Sequence, residues 1–142
     1  MDQHSLSDQL AIQRVLTDYA WACDSGDWEL LSSLFTADSR LDYSSTGGPA
    51  GGREELVRWL RDSLSQVPVI QHVVSNFQIE VTRNRAEGRA TFYTAAQIPG
   101  LNSMLTTGGY YELAFKREPG GWKIERLVED NRWMSPRPPD RP

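Results

Sequence analysis

The hydrophobic period of this chain changes at Pro68, and that change limits the fold more than any other feature. Before it, apolar residues recur at three- and four-residue intervals; after it, they alternate one by one. Leu6, Leu10, Val15, Tyr19 and Ala20, with Ile12 and Leu16 nearby, mark a first helix that Ser5 or Ser7 would cap and Ser25-Gly26 would end. Asp27 reads as the N-cap of a short second helix, Trp28 to Phe35. Arg40 to Ser44 reads as a short strand and Thr46 to Gly52 as a loop around Pro49. Arg53 to Gln66 is a third helix, with Leu56, Val57, Leu60 and Leu64 as its apolar stripe. Beyond Pro68, Phe77, Ile79 and Val81 alternate with Gln78, Glu80 and Thr82. Arg83-Asn84-Arg85 is then a turn, and Glu87 to Ile98 and Met104 to Arg117 are strands. Glu118-Pro119-Gly120-Gly121 is a strong turn signal, and Trp122 to Trp133 is the last strand. Three helices followed by a long antiparallel meander predict an α+β domain, its helices covering one face of a strongly curved sheet. The concavity between them is the natural pocket.

The 142 residues suit one domain, residues 1–134, followed by a tail, 135–142, whose four prolines should leave it disordered or along the surface. A net charge of −4 argues against a general nucleic-acid binder. No apolar run is long enough to span a bilayer and no signal-peptide pattern is present, so the expected location is the cytoplasm. The single Cys23 forms no internal disulfide, and the adjacent Asp24 disfavours its thiolate.

The chemistry-bearing residues are few. Of two histidines, His4 lies in an N-terminus expected to fray, which leaves His72 as the one well-placed imidazole, the side chain that ordinarily titrates near neutrality. Asp24 ends the first helix and His72 begins a strand, 48 positions on, so only folding brings them together. A carboxylate accepting from one ring N–H would fix the tautomer and free the other nitrogen as a base. Tyr43, with Tyr93 and Tyr111 as supplements, would donate to the oxygen of an enolate. Each residue also has a structural reading. His72 beside Val73-Val74 could be a satisfied core residue, Asp24 a turn residue bonding local backbone, and Tyr43 plain core. Trp59 and Trp133 could line the pocket or pack elsewhere, and Arg132 could meet an anionic group or stay solvated. Two histidines give no zinc or iron site of usual spacing, and there is no phosphate-binding glycine motif, so no cofactor is expected.

The run Tyr19-Ala20, Asp24-Ser25-Gly26-Asp27-Trp28, Leu31, Phe35-Thr36 and Leu41-Asp42-Tyr43 resembles the opening of the SnoaL-like, nuclear-transport-factor-2-like superfamily. Gly52-Arg53-Glu54-Glu55-Leu56 resembles its third helix. Gln71-His72, with Gly121-Trp122-Lys123-Ile124 and Arg132-Trp133, is most similar to its scytalone-dehydratase-like branch. The resemblance implies a conical barrel, a mostly antiparallel curved sheet wrapped by three N-terminal helices around an internal pocket. It implies His72, Asp24 and Tyr43 as catalytic residues, and a cofactor-independent dehydratase or isomerase. Tyr93, Tyr111, Trp59, Arg132 and Trp133 would hold a small hydrophobic cyclic hydroxy- or keto-substrate of polyketide, aromatic or steroid type. The alternatives are a polyketide-type cyclase and a non-catalytic binding or assembly module. Cys23, Gly100 and Tyr111 stand where that branch has a tyrosine, a histidine and an asparagine, which makes scytalone itself an unlikely substrate. The pocket rim is expected from Ile98 to Leu105, Thr46 to Gly52 and the tail. An exposed sheet face implies a homodimer or larger assembly, with neither nucleic acid nor membrane as partner.

Overall fold

The computed structural model describes residues 3–136, with side chains from Ser5 onward. Three helices, α1 (Gln3–Ser25), α2 (Trp28–Ser33) and α3 (Arg53–Leu64), accompany six strands. The strands are β1 (Phe35–Asp42), β2 (Ala50–Gly52), β3 (Val69–Thr82), β4 (Arg85–Gln97), β5 (Leu105–Glu118) and β6 (Gly121–Ser135). They form one sheet in the order β2-β1-β6-β5-β4-β3. β1 runs parallel to β6, and every other pair is antiparallel. The expected α+β cone forms, but the sheet curls without closing, so β2 and β3 remain edges. No described helix is long and apolar enough to cross a membrane. Residues 137–142, most of the proline-rich tail, and the side chain of His4 lie outside the described residues.

The curl comes from local irregularities. β3 bulges between Ser75 and Gln78, where Asn76 takes a left-handed φ of 53°. Such bulges bend a strand and raise its twist. Two glycines allow close approach: a Cβ on Gly88 would run into the Gln78 carbonyl, and one on Gly109 into that of Asp130. On the concave face, Phe92, Tyr111, Leu113, Phe115, Ile124 and Leu127 meet Ile12, Leu16 and Tyr19 of α1, Leu31 of α2 and Leu56 of α3. Phe115 and Leu127 are fully buried, so truncating either to Ala should cost about 3 kcal/mol or more.

Several boundaries differ from the sequence expectation. The α1 stripe does not include Leu6 and Leu10, which are 53% and 59% exposed. The phase set by Ile12, Leu16 and Tyr19 turns Asp8 and Gln9 inward instead. Asp8 accepts from Arg117 and from Trp122 Nε1, and Gln9 Nε2 donates to the Ile79 carbonyl at 2.6 Å. Because the helix reaches back to Gln3, Ser5 and Ser7 lie inside it rather than capping it, and the backbone of His4 is helical. Asp27 does cap α2, accepting the Leu30 N–H at 3.1 Å. That helix stops at Ser33, and the Leu34 carbonyl takes the Ile124 N–H, so Phe35 and Thr36 enter β1. The tertiary pairing with β6 outweighs another helical turn. The Thr46–Gly52 loop contributes β2, which pairs with β1, and follows a 3-10 turn, Ser44–Thr46.

Candidate functional site

β3 is an edge strand, and α1 covers its free edge. At the end of α1, the Asp24 carboxylate accepts the backbone N–H of His72 at 3.0 and 3.1 Å. The same carboxylate lies 2.6 Å from His72 Nδ1. An ionised carboxylate only accepts, so the ring's Nδ1–H is the donor, and in a neutral imidazole so held Nε2 carries the lone pair. Two bonds from one group thus set both the strand and the ring. The side chains are 10% exposed for His72 and 18% for Asp24, so the pair is shielded yet reachable. A cleft of about 460 Å3 opens there, lined by Trp21, Asp24, Val69, Gln71 and His72.

The bulge at Asn76 decides where His72 points. Straight alternation back from Phe77 would send it to the outer face. The extra residue restores Ile70, His72 and Val74 to the inner face, and pairing places His72 beside Thr94 and Val74 beside Phe92.

Tyr43 sits on the same concave side but deeper, 2% exposed, and its hydroxyl meets that of Tyr19 at 2.6 Å. Tyr111 packs edge-to-face on Tyr19 at 5.6 Å and stacks on Phe92 at 4.7 Å. Trp59 tilts against Tyr43 at 5.3 Å, under the loop at Gly48. Burial pushes all three tyrosines, 19, 43 and 111, well above the ordinary phenol value, so each keeps its proton. Burial also pushes the Cys23 thiol up to about 12, helped by the charge of Asp24.

The other expected contacts lie elsewhere. Tyr93 and Trp133 face each other at 5.7 Å on the convex side, 43% and 44% exposed. Arg132 is also on that side, bonded to Asp130 and set over the Tyr110 ring. The structure therefore brings Asp24 to His72 and gathers Tyr43, Tyr111 and Trp59 on the inner side, but leaves Tyr93, Arg132 and Trp133 on the opposite face. For Trp133 the physical reason is a second bulge, at Gly108–Gly109, which makes Asn131 the partner of Gly109 and turns Trp133 outward over Gly108. Among the described residues, no three of His, Cys, Asp and Glu cluster to hold a metal ion.

Two residues of the inner face were missed in the sequence. Tyr19 reads as one more apolar helix position, yet its hydroxyl partners Tyr43. Glu129 reads as a surface residue of the last strand. Straight alternation from Trp122 and Ile124 would turn it outward. An extra residue near Glu125 shifts the phase, so Leu127 and then Glu129 face inward, Glu129 opposite Tyr111. Its Oε1 takes a hydrogen bond from Thr46 Oγ1 at 2.8 Å. Burial pushes its carboxyl up from the ordinary glutamate range, while the Thr46 bond and the charge of His72 pull it down. The signal available in the sequence was Arg126 on the apparent inner phase beside Leu127, a mismatch that marks a bulge.

Comparison with known proteins fits this fold. An uncharacterised protein of Mycobacterium tuberculosis, Rv2910c, is 34% identical over 125 residues, 87% of this chain and 85% of its own. A solved structure described as a putative scytalone dehydratase, from Novosphingobium aromaticivorans, superposes with a TM-score of 0.86 at 23% identity, covering 95% of this chain and 91% of that one. The hexachlorocyclohexane dehydrochlorinase LinA-type3 of Novosphingobium barchaimii superposes with a TM-score of 0.84 at 18% identity, covering 98% and 96%. At those identities the two structures speak for the fold alone. The SnoaL-like domain profile matches residues 4–128, a span that runs from α1 into β6 and holds both Asp24 and His72. On that match, the chain belongs to the SnoaL-like domain family.

Proposed function

We propose that this protein is a cofactor-independent proton-transfer enzyme, a dehydratase or isomerase of a small cyclic hydroxy- or keto-compound, with His72 as its base. The observation that carries the reading is the double grip of Asp24 on His72, through Nδ1 at 2.6 Å and the backbone N–H at 3.0 Å. It leaves Nε2 free and oriented, and the carboxylate stabilises the imidazolium that forms when the ring takes a proton from carbon. Tyr43 serves the substrate oxygen. Its hydroxyl and that of Tyr19 share one hydrogen bond, so the pair keeps one further proton to donate. Tyr111 and Trp59 form the aromatic wall. The names of two fold neighbours, a dehydratase and a dehydrochlorinase, describe eliminations of the same general class. The test is a panel of cyclic β-hydroxyketones followed by the absorbance of the conjugated product. His72→Ala should lower turnover by about 10²-fold or more while leaving ketone binding largely intact. Retained turnover would refute the role.

One observation favours a second reading. Asp24 also seals the free edge of β3, a structural task that a non-catalytic binding module would need equally. In that case His72→Ala would leave every measured property except stability unchanged.

The convex face suits a second copy of this chain. Val73, Tyr93 and Trp133, with Gly108 between the last two, form a cross-strand row of exposed apolar groups. Arg89, Arg126, Glu80 and Glu87 line a separate groove further along the same strands.

A further inference from the structure

The base reading leaves one ionisable group of the inner face unused. Glu129 is carried there by its pairing with Tyr111, two residues beyond the fully buried Leu127. Its backbone is pinned: Ser45 Oγ donates to the Glu129 carbonyl at 2.7 Å and accepts the Asn131 N–H at 3.0 Å. Among the described residues its carboxyl has only the Thr46 hydroxyl as hydrogen-bond partner, and no Lys or Arg pairs with it. The titratable groups that face it are Tyr111 from β5, Tyr43 from the end of β1 and His72 from β3, with Asp24 behind the imidazole.

We propose that Glu129 is the acid partner of His72, the carboxyl that protonates the hydroxyl leaving the substrate. The proposal rests on His72 being the base. His72 Nε2 takes the proton from the carbon next to the carbonyl, and that C–H pair becomes the new C=C bond. The C–O bond to the neighbouring hydroxyl breaks, its electron pair stays on oxygen, and the Glu129 proton completes a water molecule. The imidazolium then returns a proton to the Glu129 carboxylate, so the site ends as it began and no oxidant or other reactant is used. The roles follow from environment. Burial without a paired Lys or Arg raises the Glu129 carboxyl above the ordinary glutamate range, whereas the Asp24 carboxylate is taken up by its bonds to His72. Two titratable groups on the inner face can divide the work of base and acid.

The test has two arms. In protein labelled with 13C at glutamate carboxyls, the Glu129 resonance is the one missing in Glu129→Gln. It should titrate clearly above the ordinary value of about 4.3. An ordinary midpoint overturns the proposal. In the second arm, Glu129→Gln should lower dehydration of a cyclic β-hydroxyketone by about 10²–10⁴-fold through kcat. It should leave the His72-dependent exchange of the α-proton in D2O near the wild-type rate. Unchanged dehydration would overturn the acid role and leave the base reading standing. An α-exchange that His72→Gln does not reduce would overturn the base reading, and the acid role with it. Glutamine keeps the Thr46 contact, and an unchanged circular dichroism spectrum shows that the variant folds.

Discussion

Replacing Asp24 by Asn separates the two tasks its carboxylate performs. The amide oxygen can still accept the His72 backbone N–H, so the edge of β3 stays capped. The amide N–H2 cannot accept from Nδ1–H, and facing the ring it favours the tautomer with hydrogen on Nε2. The 2.6 Å contact to Nδ1 is then lost as a charge-assisted bond, and the backbone bond at 3.0 and 3.1 Å becomes neutral. Bonds to charged groups are worth about 1.5–3 kcal/mol and neutral ones about 1. Both side chains are mostly shielded, so solvent screening takes little from this. The expected loss is about 2 kcal/mol, a fall in melting temperature of roughly 5–10 °C for a domain of this size. Turnover should fall far more, on the order of 10⁴-fold, as an Asp-to-Asn tautomer swap does in a Ser–His–Asp triad. Nitrogen-15 spectra of the histidine ring measure the tautomer directly. The wild-type neutral ring should show a protonated Nδ1 and a bare Nε2, and Asp24→Asn the reverse. An unchanged tautomer with an unchanged melting temperature would refute the reasoning.

Four other outcomes follow from the same structure. Because the folded Glu129 carboxyl titrates above its unfolded value, it favours the folded state fully below about pH 4.3 and loses that contribution as pH rises through its folded value. The melting-temperature difference, wild type minus Glu129→Gln, should therefore fall across that window, and a flat or rising difference contradicts it. Cys23, buried and with its thiol raised to about 12, should resist alkylation by iodoacetamide at pH 8 until the protein is unfolded; native-state labelling would contradict the burial. Tyr19→Phe and Tyr43→Phe should each cost about 1–3 kcal/mol in urea unfolding, since each strands the other's hydroxyl, and the double variant should cost less than the sum. On the convex face, Tyr93→Glu with Trp133→Glu should convert a dimer to a monomer in light scattering, without loss of helix signal. A wild-type monomer would contradict the two-fold packing.

The helix-to-strand switch at Pro68, the Asp27 cap and the order of the elements were legible from period and turn chemistry. So was the candidate pair: the resemblance marked Asp24 and His72, and the fold joins them across 48 positions. What alternation could not supply was the phase of each strand relative to the core. Three single-residue bulges, at Asn76, at Gly108–Gly109 and near Glu125, each reverse which side chains face inward. The first turns His72 in, the second turns Trp133 out, and the third turns Glu129 in. Bulges are fixed by the pairing of neighbouring strands, a tertiary matter that a period-two pattern does not carry. Tyr93 was undecided for a related reason: β4 has small or apolar residues on both faces near Phe92, so its inner face is named only by its neighbours. The polar pair Asp8 and Gln9 on the inner phase of α1 escaped notice because Leu6 and Leu10 extend an apolar spacing that the helix turns to solvent.

The central claim is that His72 Nε2 removes a proton from carbon. Its most direct measurement is deuterium exchange at the α-carbon of a cyclic ketone in D2O, followed by proton NMR with wild-type protein and with His72→Ala. The account predicts protein-dependent exchange in the wild type and a loss of about 10²-fold or more in the variant. Exchange at the same rate in both, or none above the buffer rate in the wild type, would contradict it.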